Sequence, residues 1–341
     1  MNNNTKEKQH TVPQFILRNF SINNKLYTYD KQIEKVYCSN VKNSGCERGF
    51  YDFKISTSAG LIEGTIEGKL CAIEGGASRV LEKIIKHDTV ADLTDEEREQ
   101  VAYFLGAQMI RTQNVKKNYK SMPEQLRNAI RNKIPNLAND TSLDEKLPDF
   151  DDNDLNLWFD MLIVDLAEGL KNTLKGLEWI LVKTDESKPF LIGDSPVVVY
   201  NELYHDIKES NFFSKYSIGY KGACVFFPIS PTRALWLVDY EFIDKYVQIN
   251  QEALRTIFSI IRVAQDIERF GKDLQENIDR EGRLTKTKIL TFSSNDVYRY
   301  NYLEIINAER KVFSRFSDFK QVEALIKKNS FYKHGMRIRA D

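Results

Sequence analysis

Four runs between residues 177 and 240, LEWILVKT, PFLIGDSPVVVY, ACVFFPIS and ALWLVDY, constrain the fold most strongly. They are rich in β-branched and aromatic residues and are punctuated by Pro and Gly, which is the pattern of strands joined by tight turns. Segments with helical spacing flank this block on both sides, so the expected fold class is α+β, helix-rich with a central, mainly antiparallel sheet.

Upstream, Pro13 sits where a short helix over HTVPQFILRNF should begin. KLYTYD and IEKVYCS alternate as the arms of a hairpin. Apolar residues at 62, 66, 70, 73, 77, 80, 81 and 84 predict a helix over Leu61 to Ile85, although four glycines interrupt it. TDEEREQVAYFLGAQMIRTQ opens with Thr94 and Glu97 in capping-box spacing and should return beside it as a helical hairpin. A further helix is expected to start at Ser121, followed by an acidic connector over 135 to 154 and another helix over Leu155 to Leu174. Beyond Asn250 the segments QEALRTIFSIIRVAQDIERF, NDVYRYNYLEIINAERKVF and FKQVEALIKKN read as helices. The chain divides on this reading into residues 1–135, an N-terminal helix, hairpin and helical hairpin, and residues 136–341, the sheet with C-terminal helices; the two are closely packed, or the chain is one large domain.

With 341 residues, 49 Lys plus Arg against 49 Asp plus Glu, and 42% hydrophobic residues, the chain can bury a large core. Charge balance excludes a uniformly basic nucleic-acid coat. Cys38, Cys46, Cys71 and Cys224 contain no C-x-x-C pair, and the four histidines are scattered, so no metal site or other cofactor is expected. A polar N-terminus and the lack of any apolar run of spanning length predict a soluble, cytoplasmic protein with no membrane partner. No Walker A loop, nucleophile elbow, H-E-x-x-H site or dinucleotide fingerprint occurs.

Candidate chemistry gathers in a few places. Helical arithmetic puts Glu63, Glu67 and Glu74 on one stripe, and Gln108, Arg111 and Thr112 cluster on the returning helix, so a carboxylate can meet Arg111 as an ion pair or share with it a polar site for an anion. Asp194 in GDSP is held at a turn, either capping its own backbone or activating water. His10, Gln14 and Arg18 share a face if the first helix starts early, a register Pro13 can break. Lys116, Lys117, Lys120, Arg127, Arg131 and Lys133 oppose only Glu124 between 115 and 134, a net +5, while seven acidic residues and one Lys over 144 to 160 offer neutralisation instead. The C-terminal Lys327, Lys328, Lys333, Arg337 and Arg339, interleaved with Phe331 and Tyr332, and the tyrosines Tyr298, Tyr300 and Tyr302 are compatible with phosphate contacts and stacking, or with solvated and core faces.

With these residues in hand, the chain resembles the bacterial and fungal family called domain of unknown function 4238. The likeness rests on an H-x-V-P-Q-F-x-L-R-x-F opening, here His10 to Phe20, on Phe50 and Tyr51, on the segment around Glu74, on FLGAQMIRT ending at Thr112, on the turn at Asp194 and on PISP from Pro228 to Pro231. A narrower similarity, to phage-defence DNA glycosylases that remove glucosylated hydroxymethylcytosine, implies a cofactor-free hydrolysis of the N-glycosidic bond of a flipped nucleotide in phage DNA. On that reading Asp194, Glu67 or Glu74 positions water or stabilises an oxocarbenium-like sugar. Arg111 and Arg18 clamp phosphates, with Gln108 beside them; His10 and Gln14 bond the base or its sugar, Tyr51 stacks on it, and the six cations from Lys116 to Lys133 hold the DNA backbone. A metal-dependent nuclease using Glu63, Glu67, Glu74 and Asp194, and a non-catalytic binding or regulatory module, are the alternatives. The oligomeric state is left open.

Overall fold

The computed structural model describes residues 7–58, 60–137, 139–201, 218–219, 221–239 and 288–337. The helix expected over 251–270 lies outside them. The described residues form an α+β fold with antiparallel sheets and long helices. Its elements are β1 (Lys8–His10), α1 (Gln14–Asn19), β2 (Lys25–Asp30), β3 (Lys35–Asn40), β4 (Cys46–Arg48), β5 (Asp52–Thr57), β6 (Gly60–Thr65), α2 (Glu67–His87), α3 (Asp95–Ile110), α4 (Gln113–Lys133), α5 (Ser142–Lys146) and α6 (Asp152–Gly176). They continue with β7 (Glu178–Lys183), β8 (Ile192–Gly193), β9 (Val198–Asn201), β10 (Ala223–Ser230), β11 (Arg233–Val238), β12 (Ile289–Thr291), α7 (Ser294–Asn307), β13 (Lys311–Ser314) and α8 (Lys320–Lys328).

The four apolar runs supply five strands: β7, β9, β10 and β11 of a five-stranded sheet, and β8 of a second one. Strand order is β12-β7-β11-β10-β9, antiparallel except for the parallel pair β12 and β7. Every residue of β10 is buried, so this strand lies under cover on both faces and reads as a continuous apolar run. The N-terminal hairpin β2/β3 forms as its alternation predicts and extends through β13 to β8 as a second, four-stranded sheet. Helices α2, α3 and α6 pack over the five-stranded sheet, and one apolar core runs from Val12 to Phe313. Among the described residues this cluster draws on both sides of residue 135, while a second, from Ile180 to Ile306, lies wholly beyond it. At Gly106 a Cβ would come 2.9 Å from the Ala167 carbonyl oxygen, so the missing side chain is what lets α3 lie close on α6.

Three boundaries differ from the sequence reading. Residues 60–65 are a strand, and α2 starts only at Glu67, so Glu63 faces Lys54 across β5/β6 at 2.5 Å instead of joining a helical stripe. Helix α4 runs unbroken from Gln113 through Pro123, capped by Thr112, whose hydroxyl accepts from the Val115 N–H; Ser121 begins nothing. Residues 311–314, read as the end of a helix, are β13, inserted between β2 and β8 where β-branched and aromatic side chains have sheet neighbours. The capping box at Thr94 and Glu97 is present, with both reciprocal hydrogen bonds.

Candidate active site

Four elements bring one polar cluster together near the N-terminus. β1 carries His10 at its end, α2 begins at Glu67 and presents Glu74 two turns on, and α3 ends in Gln108 and Arg111. The chain just before β5 supplies Tyr51. Gln9 fastens the strand beneath: its side-chain amide donates to Asp52 Oδ1 at 2.5 Å and Thr65 Oγ1 at 3.1 Å, and its Oε1 accepts from the Tyr51 N–H at 2.6 Å. The sequence reading passed over Gln9, whose only signal is its place beside the His10 motif.

Arg111 is 3% exposed and is held at two of its nitrogens. Nε donates to Gln108 Oε1 at 2.7 Å and one terminal nitrogen to Glu74 Oε1 at 2.7 Å. The Gln108 amide in turn donates to the Thr11 carbonyl at 2.8 Å, which fixes its acceptor oxygen toward the guanidinium. The Tyr51 hydroxyl donates to the Arg111 carbonyl at 3.2 Å, and burial drives that phenol far above its usual range. Tyr51, 2% exposed, is thus a floor under Arg111 and offers no ring to an incoming base. Arg111 likewise sits too deep, and too close to carboxylates, to clamp a backbone phosphate; it positions Glu74.

Three buried polar atoms of this cluster have no partner: His10 Nε2, Glu67 Oε1 and the second terminal nitrogen of Arg111. Burial lowers the His10 pKa, only partly offset by a hydrogen bond to the Val41 backbone, so the ring is neutral near pH 7. With the other nitrogen committed to a carbonyl, Nε2 keeps its lone pair and is an acceptor. Burial raises the Glu67 pKa, opposed by Arg111 and reinforced by Glu74, while the His10 backbone N–H bonds its carboxylate. Two acceptors and one cationic donor are thus left over in one electrostatically coupled group. Glu67 and Glu74 keep partial exposure, and Cys71 between them is exposed, so the cluster reaches the surface along α2. Gln14 and Arg18 lie next to it on α1, joined by a 3.2 Å hydrogen bond; His10, on a strand, does not share their helix face.

Asp194 belongs to a different constellation. Its carboxylate accepts three backbone N–H groups, from Glu309 at 2.6 Å, Arg310 at 2.9 Å and Lys311 at 2.8 Å, and so fastens the start of β13 beside β8. Burial raises its pKa against those bonds and against nearby Lys31. Both oxygens are occupied by the fold, which removes the water-activating role expected of it. Around it lie fully buried Lys31, whose ammonium donates to the carbonyls of Ile305 at 2.7 Å and Ala308 at 2.5 Å, and fully buried Glu309, paired with Lys117 at 2.6 Å and Arg337 at 2.7 Å.

The basic run on α4 is spent on the protein itself. Lys116 is buried, donating to the Phe50 carbonyl at 3.2 Å and lying over the Phe50 ring. Lys120 meets Asp152 at 3.1 Å, Arg127 meets Asp144 and Asp149 at 3.1 and 2.8 Å, and Arg131 meets Asp144 at 2.9 Å. The acidic connector neutralises the run, and the expected grip on a nucleic-acid backbone loses its cations; Lys133 closes the same helix. At the C-terminus Lys333 pairs with Glu34 and Arg337 with Glu309, while Tyr300 is core, its hydroxyl 2.5 Å from that of Tyr200. The carboxylates of the metal-dependent alternative do not converge either: Glu63 pairs with Lys54, Glu74 with Arg111, and Asp194 with backbone. Among the described residues no group of three or more His, Cys, Asp and Glu is placed to hold a metal ion, and no helix is long and apolar enough to cross a membrane.

Compared with known proteins, residues 8–318 match the model of a family described as "Protein of unknown function (DUF4238)". No curated protein and no solved structure matches.

Proposed function

The chain belongs to the DUF4238 family, and we propose from its own side chains that it is a hydrolase that uses a water held by His10, Glu67 and Arg111 to cleave the N-glycosidic bond of a modified cytosine in DNA. The observation that carries this reading is the set of three unpartnered buried atoms, His10 Nε2, Glu67 Oε1 and the Arg111 terminal nitrogen. Water placed there donates to the histidine and the carboxylate and accepts from the guanidinium. Its oxygen bonds to the anomeric carbon as the bond from that carbon to the base nitrogen breaks. The electron pair leaves with the base, the water proton passes to Glu67, and an abasic sugar remains. Glu74, held by Arg111, adds negative charge near the developing oxocarbenium. A neutral His10 is required, because an imidazolium would repel that charge.

The DNA part of this reading rests on the resemblance to glycosylases of modified cytosine and on Gln14 and Arg18, polar groups beside the cluster, with Arg18 exposed. It does not rest on α4. The depth of Arg111 and Tyr51 favours a second reading, a non-catalytic module in which the same residues are a structural ion pair. Incubation in EDTA with unmodified DNA or DNA carrying glucosylated hydroxymethylcytosine separates the two. Released modified base with alkali-labile sites is the expected result, lost in Glu67→Gln. No product with or without magnesium sinks the hydrolase reading; strand cuts only with magnesium restore the nuclease.

A further inference from the structure

The cations of α4 are spent on carboxylates, but those beside the His10 cluster are not. Lys117, Lys120, Arg127 and Arg131 each have a carboxylate oxygen within 3.1 Å. Lys8 on β1 and Arg18 on α1 donate instead to side-chain amide oxygens, those of Asn43 and Gln14. Among the described residues neither they nor Lys311 on β13 enter an ion pair.

The ribbon β1/β4 sets these charges next to the cluster. Residues two apart on a strand share a face and stand roughly 6.5 Å apart, so Lys8 shares the face of β1 that carries His10. In the register of the ribbon Lys8 stands directly opposite Arg48, and His10 opposite Cys46. The turn Val41–Asn43 borders this face and meets three of its side chains. The His10 ring bonds to the Val41 backbone, Cys46 Sγ donates to the Lys42 carbonyl at 3.8 Å, and the Lys8 ammonium donates to Asn43 Oδ1.

Burial raises the pKa of the Cys46 thiol, the charges of Lys311, Lys8 and Arg48 oppose the rise, and Glu47 adds to it. Three cations therefore surround the thiol opposite His10. Glu47, the carboxylate among them, stands opposite Gln9 and so on the other face of the ribbon. On α1, Arg18 is also near enough for its charge to act on the imidazole.

Like charges directly opposite each other weaken an antiparallel pair, yet Lys8 and Arg48 occupy such a pair, both exposed to solvent. A polyanion lying over the ribbon relieves that repulsion. The charges stand in a row past His10 instead of converging on one point, which suits successive phosphates better than a single small anion. We propose that Lys8, Arg48 and Lys311, with Arg18 beyond His10, hold the sugar-phosphate backbone of the DNA strand whose flipped nucleotide reaches the His10 cluster. For the identity of the polyanion this assignment rests on the hydrolase reading.

The test reads binding without turnover. Full-length Glu67→Gln protein in EDTA is titrated into a fluorescein-labelled DNA duplex carrying glucosylated hydroxymethylcytosine, and anisotropy gives Kd from about 50 to 200 mM salt. Adding Lys8→Gln and Lys311→Gln together should reduce the slope of log Kd against log salt by about 1.5–2, near 0.9 for each lost phosphate contact. Lys8→Arg with Lys311→Arg should restore the slope, and Lys120→Gln should leave it alone. An unchanged slope in the folded double glutamine variant, or no binding of DNA before substitution, overturns the assignment even where wild type releases base. A reduced slope without base release from wild type upholds the binding face and sinks the hydrolase reading alone. Tighter binding to phosphatidylserine vesicles than to DNA, lost in the same variant, would give the face to a membrane and overturn the assignment as well.

Discussion

Two clusters of buried charge, built from the same residue types, differ in which of their groups are engaged. Asp194 and Glu309 have their oxygens taken up, three backbone N–H groups on the first and Lys117, Arg337 and the Gly335 N–H on the second, while neighbouring Glu304, whose pKa burial raises well above the ordinary carboxyl range, keeps Oε1 without a partner. Around Arg111 the bonding stops short, leaving a nitrogen of Arg111, an oxygen of Glu67 and a nitrogen of His10 without partners. A buried carboxylate with every lone pair committed has nothing left to offer a substrate, and removing it breaks a fold. A buried carboxylate with one oxygen spare holds a position for something else.

The sharpest way to break this contrast is a pair of isosteric amides. Glu67→Gln should lower the single-turnover rate of base release about 10²–10⁴-fold, the usual worth of a general base, with a small change in Tm. Asp194→Asn should retain the rate and instead lower stability by about 3 kcal/mol, through charge-assisted bonds to three N–H groups weakened at once, read by urea unfolding. The reverse pattern would exchange the roles of the two clusters. Next in size, Arg111→Met should cost about 3–5 kcal/mol, because it strands Glu74 beside Glu67 in a buried setting; a loss below 1 kcal/mol would show the guanidinium to be replaceable and the cluster loosely built.

pH sharpens the comparison further. His10 has a folded pKa below its unfolded value, so between those two values the unfolded chain binds more protons. Its contribution to stability is therefore intact above about 6.5 and declines as pH falls through the folded value. Base release should follow the same acid limb, holding below the ordinary histidine range and then falling. Denaturant midpoints of wild type and His10→Gln across pH 5 to 8 should converge toward acid; parallel curves would place the titration elsewhere. The smallest effect is expected on α4, where Lys120→Ala removes one exposed pair with Asp152. Stability should move by less than about 1 kcal/mol, and the salt slope of any DNA binding should not change.

Much of the scaffold was legible because its signals are local. The capping box at Thr94 needs only four residues to specify itself, and the alternation of KLYTYD needs only its own turn. What escaped the sequence depended on partners far along the chain. Lys311 to Ser314 is a strand because β2 and β8 stand on either side of it, and nothing inside ERKVF announces that. The stripe of glutamates failed at Glu63 because two strands precede α2 where the apolar spacing alone continued a helix. At the site, the pairing of a glutamate with Arg111 was readable from helical geometry, and so was the chance that 144–160 would neutralise α4. The spare valences of His10 and Glu67 were not, since they depend on which neighbouring atoms are already engaged.

The pairing of β2 with β13 also sets an order of assembly. Asp30 finds its partner Lys311 only after some 280 intervening residues, whereas every residue of the His10 cluster lies within the first 111. During synthesis from the N-terminus the side chains of this cluster can therefore meet while the inner edge of the hairpin still waits, unpaired, for the far end of the chain. A nascent chain arrested before residue 311 would carry the cluster and an open strand edge together, a template for pairing with other chains.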